Sequence, residues 1–174
     1  AGQATFAALR LPILDGSRSM CEWGNDPDAV QKGIFGPSHM PSLIRHDYVT
    51  NSNDSYWLAN PAQPLTGYAT IIGDEGTERT TRTRSGLVMV QELLKKGRIT
   101  RQQLQDLLFS DRQYSWEITK PDIQAMCKEL PGGIAAAGAK VIDFCINIAK
   151  WNGTDTLNAR GALLFRRFWT HATA

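Results

Sequence analysis

The spacing of apolar residues changes partway along the chain. From Thr77 onward it is helical: Leu87, Val90 and Leu94 fall on one face, and Gly97 stands where a helix ends in a left-handed residue. Thr100-x-x-Gln103 has the pattern of a capping box and opens a second helix, with Leu104, Leu107 and Leu108 inside. Thr119 reads as the cap of a third, with Pro121 in its first turn and Ile123, Met126, Cys127 and Leu130 as its stripe. Pro131-Gly132-Gly133 interrupts the pattern. A fourth helix then runs to Trp151 with Val141, Cys145 and Ile148 on one face, and a fifth covers Ala159 to Thr170 through Ala162, Phe165 and Trp169.

Before Thr77 the text is dominated by turn formers: Asp15-Gly16, Gly24-Asn25-Asp26-Pro27-Asp28, Gly36-Pro37 and Met40-Pro41. Two short stretches escape. Tyr48–Ser52 and Ser55–Leu58 carry strand formers and predict one bent strand or two joined strands, with Asn53-Asp54 at the bend. Asn60-Pro61 stops them, because a residue before proline avoids the helical region. The expected organisation is a loop-and-strand part over 1–76 and a helical lobe over 77–174, an α+β arrangement. A loop stretch of roughly 40 residues is unusual inside one compact domain. It points to functional loops and to packing partners in other sequence.

Composition narrows the function classes. The 174 residues carry 19 basic and 17 acidic side chains, a net charge of +2, and the bases are scattered, which argues against nucleic acid. No apolar run approaches the roughly 20 residues that span a bilayer, and no signal peptide is visible at Ala1–Thr5. The chain lacks an initiator Met, as a processed or excised chain would. Of the three cysteines, Cys127 and Cys145 flank the Pro-Gly-Gly turn between two helical patterns. They are either a disulfide across a helix hairpin or buried free thiols. No C-x-x-C spacing, metal-ligand spacing among His39, His46 and His171, G-x-S-x-G elbow or phosphate loop occurs, so no metal is expected.

The densest polar knot is Thr50–Ser55. An Asn side chain offers two N–H donors and never ionises, so one aimed at a developing oxyanion stabilises a transition state. By composition alone the same knot is an ordinary turn.

Leu11–Ser17, Asn25–Val30, Ile34–Pro41, Tyr48–Leu58, Pro64–Gly67 and Thr77–Arg84 together resemble the central β-chain of acyl-homoserine-lactone and aculeacin-type acylases, in the penicillin acylase superfamily. The helical half, with Cys127, Cys145 and Ala149-Lys150-Trp151, is similar to the same region. The likeness covers nearly the whole chain, is specific over Asn51–Trp57 and is looser after Gly97.

The resemblance implies a segment of the four-layer αββα fold of N-terminal-nucleophile hydrolases. It assigns the oxyanion-hole side chain to Asn53 and an active-site arginine to Arg79, with Arg82 as the fallback. Leu14, Trp23, Phe35, Met40 and Trp57 become acyl-pocket candidates, with ordinary core burial as the alternative for each. The nucleophile of such enzymes is an N-terminal Ser whose own α-amine is the base. This sequence opens on Ala1, so the chain is expected to be inactive alone and to work with the remaining β-chain and α-chain segments. The implied substrate is a small acyl amide: an acyl-homoserine lactone, a lipopeptide or a β-lactam side chain. Any calcium of the complete enzyme maps outside these residues. A periplasmic or secreted location follows by analogy and agrees with a Cys127–Cys145 bridge. Two rival classes are a non-catalytic acyl-ligand binding module and a purely structural helical domain.

Overall fold

The structure, a computed structural model, describes residues 15–22, 24–130, 136 and 138–172. Two compact units divide the chain, Ala1–Gly86 and Leu87–Ala174. Among the described residues the helices are α1 (Thr81–Leu94), α2 (Arg101–Leu108), α3 (Tyr114–Lys128), α4 (Ala139–Ala149) and α5 (Ala162–Ala172).

The first unit is built of loops punctuated by three-residue 3-10 turns at Ser19–Cys21, Pro37–His39 and Tyr56–Leu58. No strand occurs among the described residues, which corrects the strands expected over Tyr48–Ser52 and Ser55–Leu58. The reason is local. The Ser55 hydroxyl accepts the Trp57 N–H (3.2 Å) and winds Tyr56–Leu58 into a turn. A strand also needs a ladder of backbone partners, which strand-forming side chains alone do not supply.

In the second unit several sequence signals and the structure agree. Thr100 and Gln103 make both bonds of the capping box that opens α2 (3.2 and 2.8 Å), and Gly97 takes φ +87° just after α1. Three expectations need correction. Leu104 and Leu108, expected inside, are 57% and 75% exposed. Val141 and Met126 are exposed as well. The third helix begins at Tyr114, ahead of Thr119, because tertiary bonds fix its start: Gln113 N–H donates to Gly153 O (2.9 Å) and its side chain to Asp155 Oδ2 (3.1 Å). Thr119 instead lies inside the helix, its hydroxyl donating to Ser115 O (2.7 Å).

Within this unit α4 packs against both α3 and α5. The core is Trp116 and Ile123 from α3, Ile148 from α4, Trp151, and Ala162 and Phe165 from α5. Gly153 is required beside it. The position takes φ +82°, and a Cβ there would lie 2.5 Å from Trp116 Cδ1. Cys127 and Cys145 form a disulfide that joins α3 to α4, with 18 residues of separation. Closing a loop of that length stabilises a fold by about 3 kcal/mol through the entropy of the unfolded chain. Reduction, or a Cys127→Ala/Cys145→Ala double variant, is therefore expected to lower the thermal midpoint of the helical unit by several degrees. An unchanged midpoint under reductant, with thiol titration showing reduction, would sink this expectation.

Candidate active site

The polar knot is held from below by Asn60, a fully buried residue. Its amide donates to Tyr48 O (2.9 Å), and its carbonyl oxygen accepts the Ala62 N–H (2.9 Å). Thr50 N–H donates to Ala59 O (2.8 Å) and Leu65 N–H to Trp57 O (3.0 Å), which closes the base of the loop. At its tip, Asn53 N–H donates to Asn51 Oδ1 (2.7 Å), an Asx turn. Asn53 itself takes φ +52°, a left-handed conformation that Asn tolerates better than other side-chain-bearing residues. Asn53 is exposed, and its side-chain amide has no hydrogen-bond partner among the described residues.

The next residue turns the other way. Asp54 Oδ1 accepts Arg79 Nη1 (2.7 Å) and the Ser55 N–H (2.8 Å), while Oδ2 accepts the Thr83 hydroxyl (2.6 Å). The Thr83 hydroxyl, with the Ser55 N–H and the Arg79 charge, holds the Asp54 carboxyl below its ordinary pKa against the opposing effect of burial. Thr83 is positioned by the start of α1, where the Thr80 hydroxyl accepts the Thr83 N–H (3.3 Å). Arg79 also donates from Nε to Thr77 O (3.1 Å), and its guanidinium lies 5.7 Å from the Trp57 ring centroid. The Arg79 side chain is only 7% exposed, whereas Arg82 is exposed.

The expected site residues thus fall into two groups. Arg79 and Trp57 meet, beside Asp54 and one residue from Asn53. Arg79 bonds to Asp54, and no hydrogen bond to the Asn53 side chain occurs among the described residues. Phe35 and Met40 line a separate cavity of about 690 Å³ together with Cys21, Ile34, Ile71 and Ile72. No hydrogen bond, ion pair or ring contact among the described residues joins the cavity to the Asp54–Arg79 pair. Leu14 and Trp23 lie outside the described residues. Sequence reasoning missed Asp54, Thr83 and Asn60. A separation of 29 residues between Asp54 and Thr83 leaves no periodic signal to find.

Two flanking networks are structural in their geometry. Asp26, Asp28 and His39 offer ligand atoms within 4.8 Å of one another. Their carboxylates accept the Gly36 and Ser38 N–H groups (2.8 Å each), tying the Pro37–His39 turn to the preceding loop. The Tyr56 hydroxyl donates to Glu75 Oε1 (2.5 Å), and Glu75 also accepts the Gly67 and Tyr68 N–H groups. Burial, reinforced by the Glu75 carboxylate, pushes the Tyr56 pKa up to about 12. An unfolded tyrosine titrates near 10. The folded state thus favours protonated Tyr56, a contribution intact below about pH 10 and lost as pH rises towards 12. Absorbance titration at 295 nm is expected to show a late component that Tyr56→Phe removes. Identical curves for both proteins would refute the assignment.

The penicillin amidase family model matches residues 3–174, and the chain belongs to that family. Among its relatives are aculeacin-A acylase from Actinoplanes utahensis, 41% identical over 95% of this chain, and acyl-homoserine lactone acylases PvdQ from Pseudomonas fluorescens and Pseudomonas putida, 38% and 40% identical over 88% and 86%. The chain spans 22%, 19% and 18% of those proteins respectively, about a fifth of their length. Among the described residues no helix is long and apolar enough to cross a membrane.

Proposed function

We propose that the chain is an internal part of the β-subunit of an N-terminal-nucleophile acylase, which cleaves the amide between an acyl chain and a polar amine. In the complete enzyme, the Ser Oγ of another segment attacks the amide carbonyl and its α-amine takes the proton. Asn53 donates a side-chain N–H to the oxyanion. The amine leaves with the proton, and water then hydrolyses the acyl-enzyme. Arg79 supports this group from the side, chosen over Arg82 because its guanidinium is buried and fixed. The reaction needs no cofactor from this segment.

One observation carries the reading. The Asn53 amide is an uncharged double donor, left without a partner among the described residues, on a backbone held left-handed. The exposed amide is thus open to an acceptor brought by substrate or by another segment. The cavity lined by Phe35 and Met40 has the size of a small-molecule pocket and is assigned to the acyl chain. The names of the relatives favour an acyl-homoserine lactone or an aculeacin-type amide as substrate, and by the family resemblance we assign the enzyme to the periplasm or the secreted proteins.

In this reading residues 1–76 join the αββα core and 77–174 form an attached helical lobe. Exposed Leu104, Leu108 and Phe109 suit cover by other segments of the same acylase. The test is turnover of an acyl amide by the complete acylase and its Asn53→Ala variant. Equal rates from the two would overturn the assignment.

A further inference from the structure

The Asp54 carboxylate is the meeting point of the candidate site, and nothing in the reaction as described uses it. It is not a surface ion pair of the kind worth little. Beside the local bond from Ser55 N–H at the loop tip, it holds Arg79 and, in the first turn of α1, Thr83, which lie 25 and 29 residues further along the chain. Arg79 is in turn pinned by Thr77 O and faced by Trp57, so its guanidinium cannot swing without breaking the Asp54 bond. On the other side, Asn53 precedes Asp54 directly and has no side-chain partner of its own among the described residues. The backbone sets the direction of its Cα–Cβ bond, from which the amide extends. That backbone sits at φ +52° between two anchors, the Asn51–Asn53 bond before it and the Asp54 network after it.

We propose that Asp54 is a positioning residue of the acylase site: held by Thr83 and Ser55, it fixes the direction of the Asn53 amide and the place of the Arg79 guanidinium. This rests on the oxyanion role given to Asn53. Asp54 touches neither substrate nor the reacting atoms; it acts through its two neighbours. A misplacement of about 1 Å at an oxyanion donor costs on the order of 10²-fold in rate, which sets the expected size of the effect.

The experiment is a double-variant cycle in the complete acylase, with kcat and KM measured on a chromogenic acyl amide. Asp54→Ala is expected to lower kcat by roughly 10²-fold with KM changed less than about threefold, since a positioned donor matters most in the transition state. In an Asn53→Ala background the same Asp54→Ala change is expected to cost less than about threefold, because there is no amide left to aim. Thr83→Val removes one hydroxyl at near-constant volume and is expected to show the same pattern at smaller size; it serves alone if Asp54→Ala does not fold. An Asp54→Ala loss that persists at full size in the Asn53→Ala background, or one confined to KM, overturns the positioning role, as does a Thr83→Val enzyme with wild-type kcat. The two readings fail separately. Wild-type kcat in Asn53→Ala would remove the oxyanion assignment and this inference with it, whereas a crippled Asn53→Ala beside an unaffected Asp54→Ala removes this inference alone.

Discussion

Asn53→Ala in the complete acylase is expected to lower kcat by about 10²–10³-fold with little change in KM, the signature of a donor that works mainly on the tetrahedral oxyanion. The position needs a control, because Asn53 stands at φ +52° and alanine there brings backbone strain along with the lost amide. Glycine separates the two effects. It is free of the strain and equally lacks the amide, so Asn53→Gly is expected to be as slow as Asn53→Ala. A glycine variant with near wild-type kcat would show that the loop conformation matters and the amide does not, and the oxyanion role would fall. The Asx turn itself is unaffected by either change, since it uses the Asn53 backbone N–H and the Asn51 side chain.

Phe165→Ala is expected to destabilise the helical unit by about 3–5 kcal/mol, the usual cost of emptying a buried aromatic site. Phe165 is 1% exposed, and its ring lies 5.6 Å from Trp116, 5.2 Å from Trp151 and 5.8 Å from Trp169. A cavity there cannot collapse easily, because Trp151 is held by its own bond from Nε1 to Thr154 O (2.9 Å) and Trp116 is pressed against Gly153. With urea slopes of about 1–3 kcal/mol/M, the unfolding midpoint followed by far-UV circular dichroism should fall by more than about 1 M. Leu163→Ala on the exposed face of the same helix is the comparison and should move it little. Equal, small shifts for both would mean that the aromatic cluster is not the core of this unit.

What could be read from the sequence followed from how local each signal is. The capping box at Thr100 and Gln103 and the glycine after α1 work within one turn of helix, so the chain's own order discloses them. The start of α3 does not follow, because a bond from Gln113 to Gly153 sets it and outweighs the capping preference of Thr119. The strand expectation failed the same way. Tyr48–Leu58 has the side chains of a strand, but the Ser55 hydroxyl and the buried Asn60 turn the backbone aside.

The candidate site divides along this line. Sequence resemblance by itself named Asn53 and Arg79 and, through the shared motifs, the acylase family. It had no means of showing that Arg79 is buried on Asp54 while Arg82 stays in solvent, or that Phe35 and Met40 line one cavity while Trp57 faces the arginine. The bonds from Asp54 join residues 25 and 29 positions apart through side chains alone. Periodicity reports only which face of an element is apolar, whereas a hydrogen bond between distant loops exists only once the chain has closed around it. The sequence determined that the second half is helical, the cap of α2, the glycine after α1 and the family; the tertiary structure decided where α3 begins, which arginine is fixed and which carboxylate holds it.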